Sequence, residues 1–416
     1  MSAVRNYALV TAAYWGFTLT DGALRMLVLL HFHDLGYTPV QLAFLFLFYE
    51  FFGVVTNLFG GWLAAAMGLR VTLLSGLALQ VLALTMLSLL NPSWSLATSV
   101  TYVMAAQALS GIAKDLTKMS SKSAIKTLVP EQHDSALFRW VALLTGSKNA
   151  LKGVGFFLGG ALLATLGFQH ALWAMATALT LIWVGSTLSL PADLGKSKSK
   201  SKLGQLLSKS RGVNVLSAAR FFLFGSRDVW FVVGVPVFLG RQLHFGFTAT
   251  GTALAIWVIG YGVVQSAAPV LIRRWTHGRA PQGRSAQTLA IALAVVMALV
   301  AGGLFVGMPP TVTLLGGLGL FGVVFALNSS VHSYLILAYS DGDKVALNVG
   351  FYYMANAGGR LVGSLLSGVL FQLAGLGACL WASAAMAATA GALALLLPPI
   401  EGAVMAEGIV DAGGGD

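Results

Sequence analysis

Eight basic and four acidic side chains fall within stretches that are otherwise apolar. They are Arg25, Lys114, Arg139, Lys148, Lys152, Arg220, Arg227 and Arg360 against Asp21, Glu50, Asp115 and Asp228. A charge held away from bulk water is costly, so each of these is a candidate for ligand binding or ion coupling. Four acids cannot neutralise eight bases by pairing. An anionic ligand is the natural missing partner, whereas a site for a lipophilic cation is expected to tilt the other way.

Spacing sorts these residues. Lys148 and Lys152 are four apart and share a helix face, where like charges repel. An anion bridging them relieves that repulsion, and a phosphate-like group satisfies both. Asp21 and Arg25 are also four apart, with the acid first, the favourable order for an intrahelical pair. Arg227 and Asp228 are adjacent and are expected to point to different faces, seeking partners elsewhere such as Glu50 or the ligand. Lys114, Arg139 and Arg220 lie nearer helix ends, where long side chains reach the interface. Lys114, Lys118, Lys122 and Lys126 form a four-spaced ladder. If helical, it is a basic stripe that anchors on anionic lipid or funnels anions toward a mouth.

Substrate contacts are thus expected from Arg25, Lys148, Lys152, Arg227 and Arg360. Asn328, His332 and Asn356 would add hydrogen bonds to a hydroxylated ligand. Asp21, Glu50 and Asp228 are candidates to carry a coupling proton or to hold the bases when the site is empty. His31 and His33 lack the two further ligands a metal site would need, so no metal is expected. No cofactor is expected either: there is no P-loop, Gly-x-Ser-x-Gly, HExxH or cysteine cluster, and the lone cysteine is Cys379. Nothing suggests nucleic-acid binding.

The elements that must position these groups are long apolar helices. The 416 residues are 57% hydrophobic and only 9% charged, with a mean hydropathy of +0.81. A soluble domain carries roughly a quarter charged residues, so a soluble enzyme, a disordered chain and a disulfide scaffold are all excluded. The expected fold is an all-α polytopic membrane protein. At about 20 apolar residues per crossing, twelve transmembrane helices are expected, roughly at 7–30, 41–64, 71–91, 96–117, 135–166, 170–190, 213–240, 247–272, 286–308, 312–339, 346–373 and 377–397. No cleavable signal peptide is expected.

Lys and Arg are distributed unevenly between loops. Arg241 is the one base in the odd-numbered loops, while sixteen lie in the N-terminus and the even-numbered loops. Both termini are therefore expected to be cytoplasmic, in a multi-pass protein of the inner membrane. The Ser/Lys-rich stretch 191–212 is expected to be a cytoplasmic linker. It separates an N-terminal six-helix half (1–190) from a C-terminal one (213–400), with an acidic tail over 401–416. Phe17 to Asp21 echoes Phe224 to Asp228, and Gly36-Tyr37-Thr38 echoes Gly246-Phe247-Thr248.

The segment GGWLAAAMGLRVT (60–72) resembles the loop signature of the major facilitator superfamily, through Gly61, Leu63, Ala64, Gly68 and Arg70. Ala65 and Ala66 depart from it where an acid and a base usually stand. The resemblance implies two six-helix halves, a substrate site between them, and a gating loop containing Gly61, Gly68 and Arg70. Residues 7–37, 42–64 and 111–126 further resemble the ArsJ-type permeases encoded in bacterial arsenic operons. That likeness implies export of 1-arseno-3-phosphoglycerate, arsenate resistance, and a functional link to glyceraldehyde-3-phosphate dehydrogenase, which makes the ester. The remaining partners expected are a small anionic substrate and the lipid bilayer, with the protein a monomer. The alternatives within the superfamily are a sugar-phosphate or organophosphate antiporter and a proton-coupled multidrug exporter.

Overall fold

The computed structural model of the protein describes residues 3–126, 134–191, 210–340 and 345–400. Most of the expected linker, the acidic tail and Lys344 lie outside the described residues. So do the side chains of Lys122, Lys126 and Arg139.

The described chain is built of helices: α1 (Ala3–Asp34), α2 (Pro39–Leu45), α3 (Leu47–Met67), α4 (Leu69–Ser88), α5 (Leu96–Lys126) and α6 (Asp134–Ser189), then α7 (Arg211–Phe231), α8 (Gly234–Arg241), α9 (Phe247–Trp275), α10 (Gly283–Phe305), α11 (Pro310–Ala338) and α12 (Val345–Ala394). Among the described residues, nine stretches are long and apolar enough to cross a membrane. Two of them, Ser147–Ser189 and Asn348–Ala394, run to 43 and 47 residues, about twice what one crossing needs.

Both of these long helices reverse direction. In α6 the helix breaks at Gly167, whose φ of 72° suits glycine. Gly155 packs on Gly22 and Phe168 reaches His31, yet Ile182 is back beside Gly16. The second arm then runs antiparallel to α4, with Gln169 donating to the Ser88 carbonyl, Trp183 to Leu74 and Arg70 donating to Thr187. In α12 the break falls at Ala374 and Gly375. Gly363 lies on Gly225, Ser367 on Val233, and Ser383 returns to Ser226.

Two expected single helices are instead interrupted. The 41–64 stretch breaks at Phe46, between α2 and α3. The 213–240 stretch breaks at Val232 and Val233. Pro236 explains the second break, since its ring clashes with the carbonyl four residues back, that of Val232. Ser367 Oγ accepts the amides of Val233 and Gly234, at 3.2 and 3.0 Å, so the buried donors are satisfied. The expected gating loop shrinks to one residue. Gly61 lies within α3, Gly68 alone separates α3 from α4 with a φ of 79°, and Arg70 belongs to the first turn of α4.

Helix α1 lies at the centre, and every residue from Thr20 to Leu30 is buried. That burial takes in Asp21 and Arg25 as well as the apolar side chains around them. Small residues permit it: a Cβ on Gly155 would fall 2.6 Å from the Leu19 carbonyl and 3.0 Å from Gly22 Cα. Such glycine contacts let backbones approach closely in lipid, where dispersion and not the hydrophobic effect drives packing.

Candidate functional site

A cavity of about 230 Å³ lies between α1, α3, α5 and α6 on one side and α7, α9, α11 and α12 on the other. Its lining includes eight bases: Arg25, Lys114, Lys118, Lys148, Lys152, Arg220, Arg227 and Arg360. Asp115 and Asp228 are the acids of the lining. All five bases expected to bind substrate are thus brought together, together with Asn356.

Glu50 organises the floor. It is fully buried at the start of α3. Its Oε1 accepts from Arg25 Nη2 at 3.1 Å and from Arg360 Nη2 at 2.5 Å. Arg360 also donates through Nε to Asp228 Oδ2 at 3.2 Å, and Arg227 Nε donates to Asp228 Oδ1 at 2.6 Å. One chain of charge therefore runs Arg25–Glu50–Arg360–Asp228–Arg227, joining α1, α3, α12 and α7. Two expectations are corrected. Asp21 does not hold Arg25; it accepts from the Tyr49 hydroxyl at 2.7 Å, because Glu50 offers Arg25 a partner across the helix interface. Arg227 and Asp228 do pair directly, because the long arginine side chain curls back along α7.

The lysines meet aromatic rings. Lys114 Nζ lies 4.0 Å from the Tyr49 ring centre, and Lys152 Nζ is 5.8 Å from that of Phe156. Cation–π attraction holds a desolvated ammonium without cancelling its charge. Arg220 stacks on Phe224 at 4.0 Å and donates to Asn356 Oδ1 and the Ser329 carbonyl. Lys114 and Arg220 were expected to reach the interface; both line the cavity instead. Lys118 likewise folds back to Asp115 and to Asn57 Oδ1, at 2.8 Å. Asp115 also accepts from Thr56 and Asn57.

Asn328 and His332 are both fully buried, and the described α11 residues that line the cavity are Ser329 and Ser333. One residue along a helix turns the side chain by about 100°, so Asn328 and His332 do not share the face of Ser329 and Ser333. Sequence reasoning missed Gln265, which lines the cavity. Asn149 Nδ2 donates to Gln265 Oε1 at 2.7 Å, joining α6 to α9 at the cavity wall.

Past the charged floor the helices pack closely. His31 stacks on Phe168 with ring centres 4.0 Å apart, and Val40 N donates to Gln372 Oε1 at 3.2 Å. Gly251 backs onto the Phe156 carbonyl. Chemically, the arrangement is a small desolvated chamber that can bind a multiply charged anion through guanidinium forks and ammonium groups. Among the described residues no group of three or more His, Cys, Asp or Glu could hold a metal.

Residues 9–302 match the family model described as Major Facilitator Superfamily. No curated protein matches the sequence. Among solved structures, a POT family transporter in complex with a thioalcohol-conjugated peptide superposes with a TM-score of 0.72 at 14% identity, covering 94% of this chain and 95% of that one. A D-xylose–proton symporter superposes with a TM-score of 0.70 at 14% identity, covering 96% and 98%. At that identity the likeness is one of fold.

Proposed function

This chain belongs to the major facilitator superfamily, and from that premise we propose that it exports a small organic oxyanion, 1-arseno-3-phosphoglycerate, by alternating access. It is a multi-pass membrane transporter and not an enzyme. The observation that carries the substrate class is the gathering of eight bases around one cavity. Guanidinium pairs recognise phosphate and arsenate groups bidentately, while Asn149, Gln265, Ser329, Ser333 and Asn356 can meet hydroxyls. The arsenic, the outward direction and the link to glyceraldehyde-3-phosphate dehydrogenase rest on the resemblance to the ArsJ-type permeases.

In this reading α6 and α12 each cross twice, α2 joins α3 and α7 joins α8, so that the chain makes twelve crossings. Residues 1–190 and 213–400 form the two halves, and the cavity lies between them. The Lys/Arg asymmetry supports an inner-membrane protein with both termini cytoplasmic, and we take it to act as a monomer. The peptide and D-xylose named for the structural neighbours belong to those proteins.

The test is accumulation of radiolabelled arsenate in inverted membrane vesicles, with and without glyceraldehyde-3-phosphate dehydrogenase, its aldehyde substrate and NAD. Uptake only with the complete mixture supports export of the arseno-ester. Uptake of bare arsenate would instead mean a simple oxyanion exporter, and no uptake in either condition would sink the arsenic reading. A phosphate-ester antiporter is favoured by the same eight bases, and competition by phosphorylated metabolites separates it. The basic lining counts against a multidrug exporter of lipophilic cations.

A further inference from the structure

Another cleft, of about 820 Å³, opens on the flank of the bundle between α9 and α11. Its lining residues Ile256, Leu315 and Val323 are exposed, so in a membrane protein it opens to lipid. Trp230 forms its base and packs edge-on against Trp257, with ring centres 5.4 Å apart. Missing side chains make the space. Gly260 on α9 and Gly319 on α11 both line it, and a Cβ at either position would meet nothing within 4 Å. Its polar atoms are largely spent. Trp257 Nε1 donates to the Leu318 carbonyl at 2.6 Å, and Thr252 Oγ1 to the Thr248 carbonyl at 2.7 Å. Such a lining suits a hydrocarbon chain.

The cleft follows α9 from Thr248 to Val264 and α11 from Leu315 to Val323. At 1.5 Å per residue these stretches are about 24 and 12 Å long. They bracket the hydrocarbon depth of one leaflet, half of a core about 30 Å thick. At one end stands the turn between α8 and α9. There Phe245 N donates to the Leu239 carbonyl at 2.9 Å, and both residues line the cleft. The turn passes through His244, whose φ is 56°. Arg241 lies between those two lining residues, in the last turn of α8, and is exposed. None of the ion pairs among the described residues takes it up. It is also the one base of the odd-numbered loops, against the bias that gathers Lys and Arg on the other face.

We propose that the cleft between α9 and α11 is a binding site for an anionic phospholipid, with one acyl chain along Gly260 and Gly319 and the phosphate on Arg241. Tail fit alone cannot choose among lipids, since one hydrocarbon chain is as apolar as another. The choice falls to the headgroup. A guanidinium grips a phosphate bidentately, and bases beside membrane helices select anionic heads. A phosphatidylcholine carries the same phosphate but brings a quaternary ammonium to the same place. Trp257 and Tyr261 line this cleft and the charged cavity alike. The bound chain therefore backs a wall of that cavity.

The full chain is reconstituted into phosphatidylcholine nanodiscs containing a trace of phosphatidylglycerol or of phosphatidylcholine, each with a photoreactive acyl chain. Cross-linked peptides are mapped after irradiation. The phosphatidylglycerol probe is expected to label the cleft residues of α9 and α11 about fivefold more than the phosphatidylcholine probe, the preference one base at a membrane surface confers. Arg241→Gln should abolish that preference. Gly260→Leu/Gly319→Leu, which fills the cleft, should abolish cleft labelling by both probes. Labelling of the exposed α10 residues Ile291, Val295 and Leu299 should stay constant throughout. Equal cleft labelling by the two probes, or a preference that survives Arg241→Gln, overturns the proposal. So does cleft labelling that the glycine variant leaves unchanged. Labelling of α10 with none in the cleft would mean that something else covers it, such as a second copy of this chain, and also overturns the proposal. Arg241 is exposed, so its variant decides the matter even where the glycine variant fails to fold.

Discussion

Glu50 and Arg360 are 310 residues apart in the chain, and their side chains meet at 2.5 Å in the middle of the bundle. The same Glu50 oxygen also receives Arg25. One carboxylate thus ties a helix near the start of the chain to one near its end, with Asp228 and Arg227 completing the chain of charge.

Removing that carboxylate leaves two guanidinium groups buried beside each other. Glu50→Gln is expected to destabilise the protein by about 3–5 kcal/mol, the usual cost of stripping one partner from a buried pair. Thermal unfolding of the detergent-solubilised protein reads this directly. The double variant Glu50→Gln/Arg360→Met should recover part of the loss. An unchanged midpoint for Glu50→Gln would show that the pairing contributes nothing.

Lys148→Met and Lys152→Met each remove one ammonium from the cavity wall. A hydrogen bond to a charged group is worth about 1.5–3 kcal/mol, so each variant should weaken substrate binding roughly ten- to hundredfold. Transport by inverted vesicles is expected to fall close to background while membrane expression holds. Normal transport in both single variants would remove these lysines from the site.

Asn328 and His332 give the converse test. Their polar side-chain atoms are buried with no hydrogen-bond partner. Replacing a buried orphan with an apolar group is neutral or favourable by about 1–3 kcal/mol. Asn328→Leu and His332→Leu should leave the half-saturating substrate concentration unchanged and the unfolding temperature equal or higher. A tenfold rise in that concentration would return these residues to the binding site.

Packing of α1 against α6 depends on Gly155. Gly155→Ala places a methyl group 2.6 Å from the Leu19 carbonyl, and overpacking of this kind costs about 1–3 kcal/mol. Gly185→Ala is the matched control, since nothing lies within 4 Å of its added carbon. The two are compared by the fraction of protein that stays monodisperse on heating. Equal behaviour would mean that the two helices part without penalty.

Much of the site was legible because charge inside an apolar stretch is rare and costly. That rule, with spacing and position along each stretch, singled out Arg25, Lys148, Lys152, Arg227 and Arg360, and all five line the cavity. Pairing was not legible. Arg25 could be assigned only to Asp21, its neighbour four residues away, because the approach of Glu50 depends on how α3 packs. Counting residues from a helix end could not show that Lys114 and Arg220 line the cavity. Asn328 and His332 lie one helical step from the lining residues Ser329 and Ser333, a difference in phase that sequence alone does not show. The helix breaks at Phe46 and Val232 carry only the faint signature of Pro236, and the reversals at Gly167 and Gly375 look from sequence like two helices with a linker.

Those reversals bear on how the protein enters its membrane. Between the two arms of α6, and again between the two arms of α12, the backbone leaves helical geometry for only one or two residues. In the proposed twelve-crossing topology, no polar loop is available there to be delivered across the bilayer by itself. On that topology each pair of arms leaves the insertion machinery as a preformed hairpin. A ribosome halted just after the first arm would strand that arm without the partner that completes its turn.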